Sequence, residues 1–311
     1  MEEFDYKKDA EDIRDFLFQK NEEIKLINLI TKRTNNQRQQ IKKIYKEVHN
    51  SEILDDIEKK LSGNFRRVVK ALFYAPIDYD CYQLRKAVKG LGTDEEAIIE
   101  ILCTRPPDII EQIKIRYSEM YPGRTLINDI DGDTSGTFKK ILLSLLQANR
   151  KTSKDLNEAE CEKYAKMLYE AGEKKIGTDE NIFVNIFTKN SSIEIMSIAQ
   201  FYYKLTSHTL LQAVESEFSF NSKNCLCAII YALLSPSEFF AKMINKAVKG
   251  LGTNDSSLIR ILVTRNEIDM YKIRQYYKQL YQKDMIDDIK DDTSGHYQKI
   301  LVELASKKHI S

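Results

Sequence analysis

A glycine turn and an acidic turn occur together twice in this chain, at nearly the same separation. Lys-Gly-Leu-Gly-Thr stands at residues 89–93 and again at residues 249–253. Each copy is followed by Asp-Thr-Ser-Gly, first at residues 133–136 and then at residues 292–295. The first glycine precedes its aspartate by 43 residues (90 to 133) in one copy and by 42 residues (250 to 292) in the other. A pairing that recurs at matched spacing requires an internally repeated fold.

Weaker copies of the same pattern extend the repeat to the whole chain. Leu-Ser-Gly at residues 61–63 ends 73 residues before Gly136, and Gly-Glu-Lys-Lys-Ile-Gly-Thr at residues 172–178 indicates a further unit. The period is about seventy to eighty residues, which is room for about five short helices. Only 5 prolines and 11 glycines occur in 311 residues, and apolar residues recur at helical spacing, as in 138–146. The chain is therefore predicted to be all-α.

The repeats define a predicted domain organisation. It consists of a short N-terminal tail (1–8), repeat 1 (9–74), repeat 2 (78–148), a linker (149–159), repeat 3 (160–234) and repeat 4 (238–308). The joins after repeats 1 and 3 are short and contain proline, whereas the middle join is longer and polar. This difference predicts two tightly paired halves, repeats 1 with 2 and repeats 3 with 4, on either side of a looser seam.

Composition excludes several classes of function. Lys and Arg number 48 against 47 Asp and Glu, which gives a formal net charge of +1. No net positive field therefore drives binding to nucleic acid, which is not an expected partner. No apolar run approaches the ~20 residues of a membrane-spanning helix. The acidic start of the chain lacks the apolar core of a signal peptide, and the sequence predicts a soluble cytoplasmic protein.

The two glycine turns have the chemistry of half an oxygen cage for a hard cation. Glycine permits backbone angles at which consecutive carbonyl oxygens turn outward, and a carboxylate at fixed spacing adds a bidentate ligand. Calcium accepts roughly six to eight oxygens in variable geometry, so such a cage leaves positions for water or for a lipid phosphate. The predicted Ca²⁺ ligands are the carbonyls of Val88, Gly90 and Gly92 with the carboxylate of Asp133, and the carbonyls of Val248, Gly250 and Gly252 with the carboxylate of Asp292.

The other two repeats depart from this pattern. In repeat 3, the predicted ligands are the carbonyls of Gly172, Lys175 and Gly177 and the carboxylate of Glu217, although Phe-Ser-Phe (218–220) replaces the expected Thr-Ser-Gly. In repeat 1, residues 18–23 contain no glycine, and Lys60 stands where the carboxylate belongs. Because a lysine ammonium repels calcium, no site of this type is predicted in repeat 1.

Each motif also has a purely structural interpretation. A lone Gly-Leu-Gly is commonly a turn between helices, and Asp-Thr-Ser-Gly alone is commonly a helix N-cap. The conjunction of the two at matched spacing favours calcium, and Asp133 and Asp292 could cap a helix and bind a cation at once. The glycine turns do not match a nucleotide-binding loop.

The chain resembles the annexin family over about residues 9–308. The resemblance rests on Lys-Gly-Leu-Gly-Thr-Asp-Glu at 89–95 and Gly-Asp-Thr-Ser-Gly at 132–136. It implies four five-helix repeats in a curved disc, calcium loops on the convex face, and a cytoplasmic pool that moves to acidic phospholipid membranes as peripheral protein when calcium rises. It also implies a channel-like polar centre at the positions Asp80, Glu100, Arg105 and Arg260, with Gln83 departing from the acid of the family pattern.

The predicted function is calcium-dependent binding to acidic phospholipid membranes, in which Ca²⁺ bridges loop carbonyls and a carboxylate to lipid phosphate. The alternative is a helical scaffold or cytoskeleton-associated protein with residual calcium sites, an interpretation favoured by the loss of the motif in repeat 1. Self-association on membranes and cytoskeletal partners both remain open. No pairing of a nucleophile with a base is legible, so the chain is predicted not to be an enzyme.

Overall fold

The computed structural model describes residues 4–90, 92–250 and 252–307. The predicted tail (1–8) and repeat 4 (238–308) therefore extend beyond the described residues at 1–3 and 308, and Leu91 and Leu251 of the two glycine turns also lie outside them. The described residues form helices throughout, five in each repeat, and the all-α prediction is confirmed. The first helix begins at Tyr6, inside the predicted tail.

The helices are numbered in chain order. Repeat 1 contains α1 (Tyr6–Phe18), α2 (Glu23–Lys32), α3 (Asn35–His49), α4 (Ile53–Lys60) and α5 (Gly63–Leu72). Repeat 2 contains α6 (Pro76–Val88), α7 (Glu95–Thr104), α8 (Pro107–Met120), α9 (Leu126–Asp133) and α10 (Gly136–Leu145). Repeat 3 contains α11 (Glu158–Ala171), α12 (Glu180–Lys189), α13 (Ser192–Thr206), α14 (Leu210–Glu217) and α15 (Phe220–Leu234). Repeat 4 contains α16 (Pro236–Lys249), α17 (Asp255–Arg265), α18 (Met270–Tyr281), α19 (Met285–Asp292) and α20 (Gly295–Ala305).

Helix starts follow from local sequence. Thr34 precedes α3 and accepts a hydrogen bond from the backbone N–H of Gln37, whose side chain in turn accepts from the Thr34 N–H. Ser191 and Glu194 make the same reciprocal pair at the start of α13. These capping boxes satisfy N–H groups that have no partner within the helix. The third helices of repeats 1 and 3 are thus fixed at their first turn by two side chains, whereas α8 and α18 have no side-chain cap.

The turn from the fourth to the fifth helix depends on backbone conformation. In repeats 1, 2 and 4 the fifth helix begins with Gly63, Gly136 or Gly295, at φ values of +60°, +60° and +62°. Glycine adopts this left-handed region without steric cost, which explains the recurring Ser-Gly of the sequence. In repeat 3 the same position holds Phe220, at φ +49°. The aspartate of Asp-Thr-Ser-Gly does not cap the fifth helix, because Asp133 is the last residue of α9 and Ser135 is the N-cap of α10.

The helices pack into two compact units. The first unit contains residues 1–79 and 240–311, and the second contains residues 80–239. In the first unit, α20 packs against α2 and α5, and α17 packs against α5. Two side-chain contacts join repeats 1 and 4 directly: Arg38 donates to Glu267 at 2.8 Å, and Arg67 donates to the Ser256 hydroxyl at 2.6 Å.

The second unit joins repeats 2 and 3. The helix α15 packs against α7 and α10, and α10 also packs against α12. The hydroxyls of Ser144 and Thr188 lie 2.7 Å apart, and the sulfur atoms of the free thiols Cys103 and Cys225 lie 3.4 Å apart. The predicted pairing of repeats 1 with 2 and 3 with 4 is therefore wrong. The length of a linker does not determine which repeats pack together. The apolar faces of the helices determine it.

Of the helices within residues 4–90, 92–250 and 252–307, none combines the length and the apolar character that crossing a bilayer requires.

Candidate calcium-binding loops

The glycine turn of repeat 2 connects α6 to α7 and lies beside the end of α9. Val88 is the last residue of α6, and the glycines that follow have positive φ values, +124° at Gly90 and +88° at Gly92. The Thr93 hydroxyl donates a hydrogen bond to the Oδ2 atom of Asp133 at 2.7 Å. The turn and its carboxylate are thus held together by a direct contact between the two motifs.

The turn of repeat 4 has the same connection with one difference. Val248 is in the last turn of α16, and Gly252 has φ +82°, whereas Gly250 lies outside the left-handed region. The Thr253 hydroxyl donates to the backbone carbonyl of Asp292 at 3.0 Å rather than to its carboxylate. The Oδ2 atom of Asp292 is buried and accepts no hydrogen bond from the described residues. A buried carboxylate oxygen without a donor fits a cation ligand.

A backbone hydrogen bond closes the base of the turn in repeats 2, 3 and 4. In each case the N–H of the last turn residue donates to the carbonyl of an alanine at or near the end of the first helix. The three bonds are Asp94 to Ala87 (2.9 Å), Asp179 to Ala171 (2.8 Å) and Asn254 to Ala247 (2.8 Å). The closed base fixes both ends of each loop, and in repeat 3 the Gly172 carbonyl, a predicted ligand, also accepts a hydrogen bond from the Lys175 N–H at 2.9 Å.

Repeat 3 keeps the arrangement with a glutamate in place of the aspartate. The Thr178 hydroxyl donates to the Oε2 atom of Glu217 at 2.5 Å, and Glu217 is the last residue of α14. A methyl group added to Gly172 would lie only 3.0 Å from the carboxyl carbon of Glu217, so this glycine permits the close approach. Gly177 has φ +82°, and the Lys175 side chain is exposed. The four predicted ligand residues of repeat 3 therefore belong to one loop and the adjacent helix end.

Repeat 1 has a different interaction at the equivalent position. Only four residues separate α1 from α2, against six between α6 and α7. The Lys60 ammonium lies 4.0 Å from the centre of the Phe18 ring, and the Arg14 guanidinium lies 3.8 Å from the same ring. Two cations thus stack on one aromatic ring where the other repeats have a glycine turn and a carboxylate.

A tyrosine–carboxylate pair beside the loops was not anticipated from the sequence. In repeats 1, 2 and 4 the phenol of the third helix donates to an aspartate of the fourth helix, four residues before that helix ends. The pairs are Tyr45 with Asp56 (2.8 Å), Tyr117 with Asp129 (2.6 Å) and Tyr277 with Asp288 (2.5 Å). The signal in the sequence is the recurrence of these two residue types at equivalent positions.

Burial and the neighbouring carboxylate act together on these phenols. Burial raises the pKa of Tyr45 to about 12, with the Asp56 carboxylate adding to the effect and Arg14 opposing it. Burial and the hydrogen bond to the aspartate also raise the pKa values of Tyr117 and Tyr277. The phenols therefore remain neutral donors at neutral pH.

Repeat 3 replaces this pair with a residue of the loop itself. The equivalent helix position is Ala213, and the Tyr202 phenol instead donates to Glu173 at 2.5 Å. The second oxygen of Glu173 lies 3.0 Å from Nδ1 of His208. Glu173 follows Gly172 in the turn, so the loop of repeat 3 is fixed to α13 and to the start of α14 by a side chain that the other loops lack.

Asp288 should give the protein a stability that depends on pH. Burial alone would raise its pKa, but hydrogen bonds from Lys249, Lys283 and Tyr277 outweigh burial and lower the pKa to about 2. A carboxyl with a lowered pKa in the folded state stabilises the fold above its unfolded pKa, near 3.9. That stabilisation is lost as pH falls through the folded value.

We therefore expect Asp288→Asn to lower the free energy of unfolding near neutral pH by about 2 kcal/mol. The difference from wild type should narrow as pH falls from about 4 towards about 2, where the wild-type carboxyl is itself protonated. Urea unfolding of both proteins across this range measures the difference. A difference that stays constant with pH would contradict the assignment to Asp288.

The predicted polar centre divides between the two units. In the second unit, Arg105 makes a bidentate ion pair with Asp80, with both nitrogen–oxygen distances at 2.7 Å, and Glu100 is fully buried. Burial lowers the pKa of Arg105, but Asp80 and Glu100 outweigh it and the net shift is upward. Arg260 is fully buried within the first unit. A channel-like role for these four residues stays a prediction.

Comparison with known proteins matches all four repeats to one family. The annexin family model matches residues 8–72, 79–145, 163–229 and 239–304. Human annexin A4 is 39% identical over 279 residues, which cover 90% of this chain and 87% of annexin A4. Human annexin A7 is 38% identical over 306 residues, which cover 98% of this chain and 62% of annexin A7. The chain thus spans less than two thirds of the length of that relative.

Solved structures agree with these matches. The structure of annexin III has a TM-score of 0.94 at 35% identity and covers 98% of this chain and 95% of its own. A calcium-bound annexin, annexin (Sm)1, has a TM-score of 0.86 at 29% identity and covers 97% of this chain and 90% of its own. The resemblance to annexins, first indicated by the glycine and acidic turns, is confirmed in all four repeats. The chain belongs to the annexin family.

Proposed function

We propose that this protein binds acidic phospholipid membranes through Ca²⁺ held in the loops of repeats 2, 3 and 4. The observation that carries the proposal is the threonine of each loop, which hydrogen-bonds the acidic residue at the end of the fourth helix. Thr93, Thr178 and Thr253 make this contact with Asp133, Glu217 and Asp292 respectively. The contact holds the acidic residue against its loop in three repeats, through the carboxylate in repeats 2 and 3 and through the backbone carbonyl in repeat 4.

The chemistry of these loops favours joint binding of calcium and lipid. Three uncharged carbonyls and a single bidentate carboxylate supply about five oxygens, fewer than the roughly six to eight that calcium accepts. The remaining positions suit phosphate oxygens of a phospholipid headgroup, which also supply the negative charge that the cage lacks. Calcium should therefore bind weakly in solution and more tightly at an anionic membrane, and each ligand should strengthen binding of the other by the same factor.

Family membership supports calcium-dependent binding to phospholipid in general. Ca²⁺ is the cation of the annexin family, and annexins are generally non-enzymatic proteins that bind acidic phospholipid membranes. For this chain we propose three further points. The residues named above bind the calcium, the protein moves from a cytoplasmic pool to the membrane surface when calcium rises, and its function needs no catalysis.

Co-sedimentation with lipid vesicles tests the proposal directly. The protein is mixed with phosphatidylserine-containing vesicles over a calcium series, with EGTA and with vesicles of phosphatidylcholine alone as controls. We expect sedimentation only with both calcium and the acidic lipid. Sedimentation that is unchanged by EGTA would refute the calcium bridge.

A scaffold role remains the second candidate. Repeat 1 favours it, because the Phe18 ring with its two stacked cations replaces a calcium loop by a purely structural contact. Self-association or binding to cytoskeletal filaments that persists in EGTA would support this role. Assembly that requires calcium and lipid would support the membrane proposal instead.

A further inference from the structure

Phe220 combines two unusual properties. Its side chain is 84% exposed, although phenylalanine is normally buried. Its φ of +49° lies in the left-handed region, which a bulky residue rarely adopts. The equivalent positions in the other three repeats are Gly63, Gly136 and Gly295, at nearly the same φ. Repeat 3 thus has an exposed aromatic ring at a position where the backbone favours glycine.

Packing within the protein does not offset the strain. Phe218, two residues earlier, is buried, and its ring lies edge-on to Phe183 with 5.1 Å between the ring centres. The Phe220 ring remains in solvent and gains little from burial. A residue held in a strained conformation without a compensating contact in the free protein indicates a function for its side chain.

The position of Phe220 identifies its partner. It lies three residues after Glu217, the carboxylate that accepts the hydrogen bond from Thr178. The loop that contains Thr178 also carries Ile176, whose side chain is fully exposed, and Lys175, whose exposed ammonium complements an anionic headgroup. An exposed aliphatic side chain next to a lysine, as at Ile176 and Lys175, is typical of segments that rest in the interface of an anionic bilayer.

We propose that Phe220 is a membrane anchor, which enters the interfacial region of an acidic bilayer when the loop of repeat 3 binds lipid phosphate through calcium. The inference rests on the proposed function, since the calcium loop brings the bilayer to this position. The anchor would give repeat 3 an apolar side chain at the start of its fifth helix, where the other three repeats have a glycine with no side chain to insert. It would also compensate for the loss of the Thr-Ser-Gly turn.

The variant Phe220→Gly should have opposite effects on stability and on membrane binding. Glycine relieves the strained φ, so the thermal midpoint should rise by about 1–3 °C. Loss of the inserted ring should weaken calcium-dependent vesicle binding by about tenfold. Phe220→Leu should keep most of the binding, because it retains an apolar side chain.

A matched control comes from another exposed apolar residue in the same unit. Ile115 lies in the third helix of repeat 2 and is 57% exposed. Ile115→Ser should change neither the vesicle binding nor its calcium dependence. If Phe220→Gly is as neutral for binding as Ile115→Ser, the anchor is refuted.

The absence of tryptophan from the sequence allows a direct observation of insertion. Phe220→Trp introduces a single indole, whose emission should shift to shorter wavelength on binding phosphatidylserine vesicles with calcium and should be quenched by brominated acyl chains. Co-sedimentation without a shift or quenching would overturn the anchor and leave the proposed function intact. Failure of the wild-type protein to sediment with calcium and vesicles would overturn the proposed function itself.

Discussion

Replacing Asp133 and Asp292 together by alanine should weaken vesicle binding at a fixed, subsaturating calcium concentration by about 100-fold, which corresponds to a rise of about tenfold in the calcium midpoint. Each substitution removes the only carboxylate predicted for its loop, and a loss of roughly 1.4 kcal/mol at each of two sites that bind the same membrane gives this factor. The remaining loop, with Glu217, should retain weak binding. The measurement is co-sedimentation with phosphatidylserine vesicles over a calcium series.

Neighbouring carboxylates provide the control for this variant. Asp131 and Asp291 are exposed residues on the same two helices, where they pair with Lys139 and Lys283. Replacing both by alanine removes the same formal charge without touching the predicted cage. We expect this control to bind vesicles nearly as wild type does. Equal losses in the two double variants would mean that general surface charge, not coordination, attracts the membrane.

The two single variants should differ in stability. Asp133→Ala loses the hydrogen bond from Thr93 and should cost about 1 kcal/mol. Asp292→Ala removes a buried oxygen that has no donor among the described residues, so its cost without calcium should be smaller or even reversed. Thermal unfolding in EGTA distinguishes the two.

Replacing Arg38 by alanine should destabilise the first unit by about 4 kcal/mol, the largest effect on stability that we expect. The side chain is only 1% exposed. Its guanidinium donates to the carbonyls of Leu72 (2.8 Å) and Ile30 (3.2 Å), to the carbonyl of Arg33, and to the carboxylate of Glu267 (2.8 Å). The substitution removes the guanidinium donor from three backbone carbonyls and leaves Glu267 with the Asn35 N–H as its donor. It also removes a large side chain from the interior and breaks an ion pair between repeats 1 and 4.

Urea unfolding of three further variants separates these contributions. Arg66→Ala breaks an ion pair with Glu58 that is largely in solvent, and it should cost at most about 0.5 kcal/mol. Glu267→Gln with and without Arg38→Ala completes a double-mutant cycle, which isolates the coupling between the two charges. A cost for Arg38→Ala no larger than that for Arg66→Ala would contradict the structural role of the buried guanidinium.

The sequence was sufficient to predict the class of fold and the cation, while the ligand residues stay a prediction. Helical spacing of apolar residues, few helix breakers and the recurring turns are local features, and local features determine where helices start and stop. The glycine turn and the acidic turn could be associated because both recur at a fixed distance. The matched spacing indicated that the two turns belong together. It did not reveal that Thr93 and Thr253 hydrogen-bond Asp133 and Asp292.

Features that depend on tertiary packing were not predictable in this way. Linker lengths suggested the wrong pairing of repeats, because they carry no information on which helix faces are complementary. The replacement of a calcium loop by Phe18 between Arg14 and Lys60 depends on side chains from two helices meeting on one ring. Glu173 could not be recognised as the partner of Tyr202, because Ala213 stands where the other repeats have an aspartate and the sequence does not indicate which residue takes its place.

The arrangement of the two units has a consequence for synthesis of the chain. The second unit is formed by one continuous segment, residues 80–239, and it can complete its core as soon as that segment has left the ribosome. Repeat 1 precedes this segment, but the surfaces of α2 and α5 that pack against α20 stay uncovered until α20 emerges more than two hundred residues later. Repeat 1 is therefore translated before the second unit but completes its packing after it, and during that interval these surfaces are open to chaperones and to aggregation.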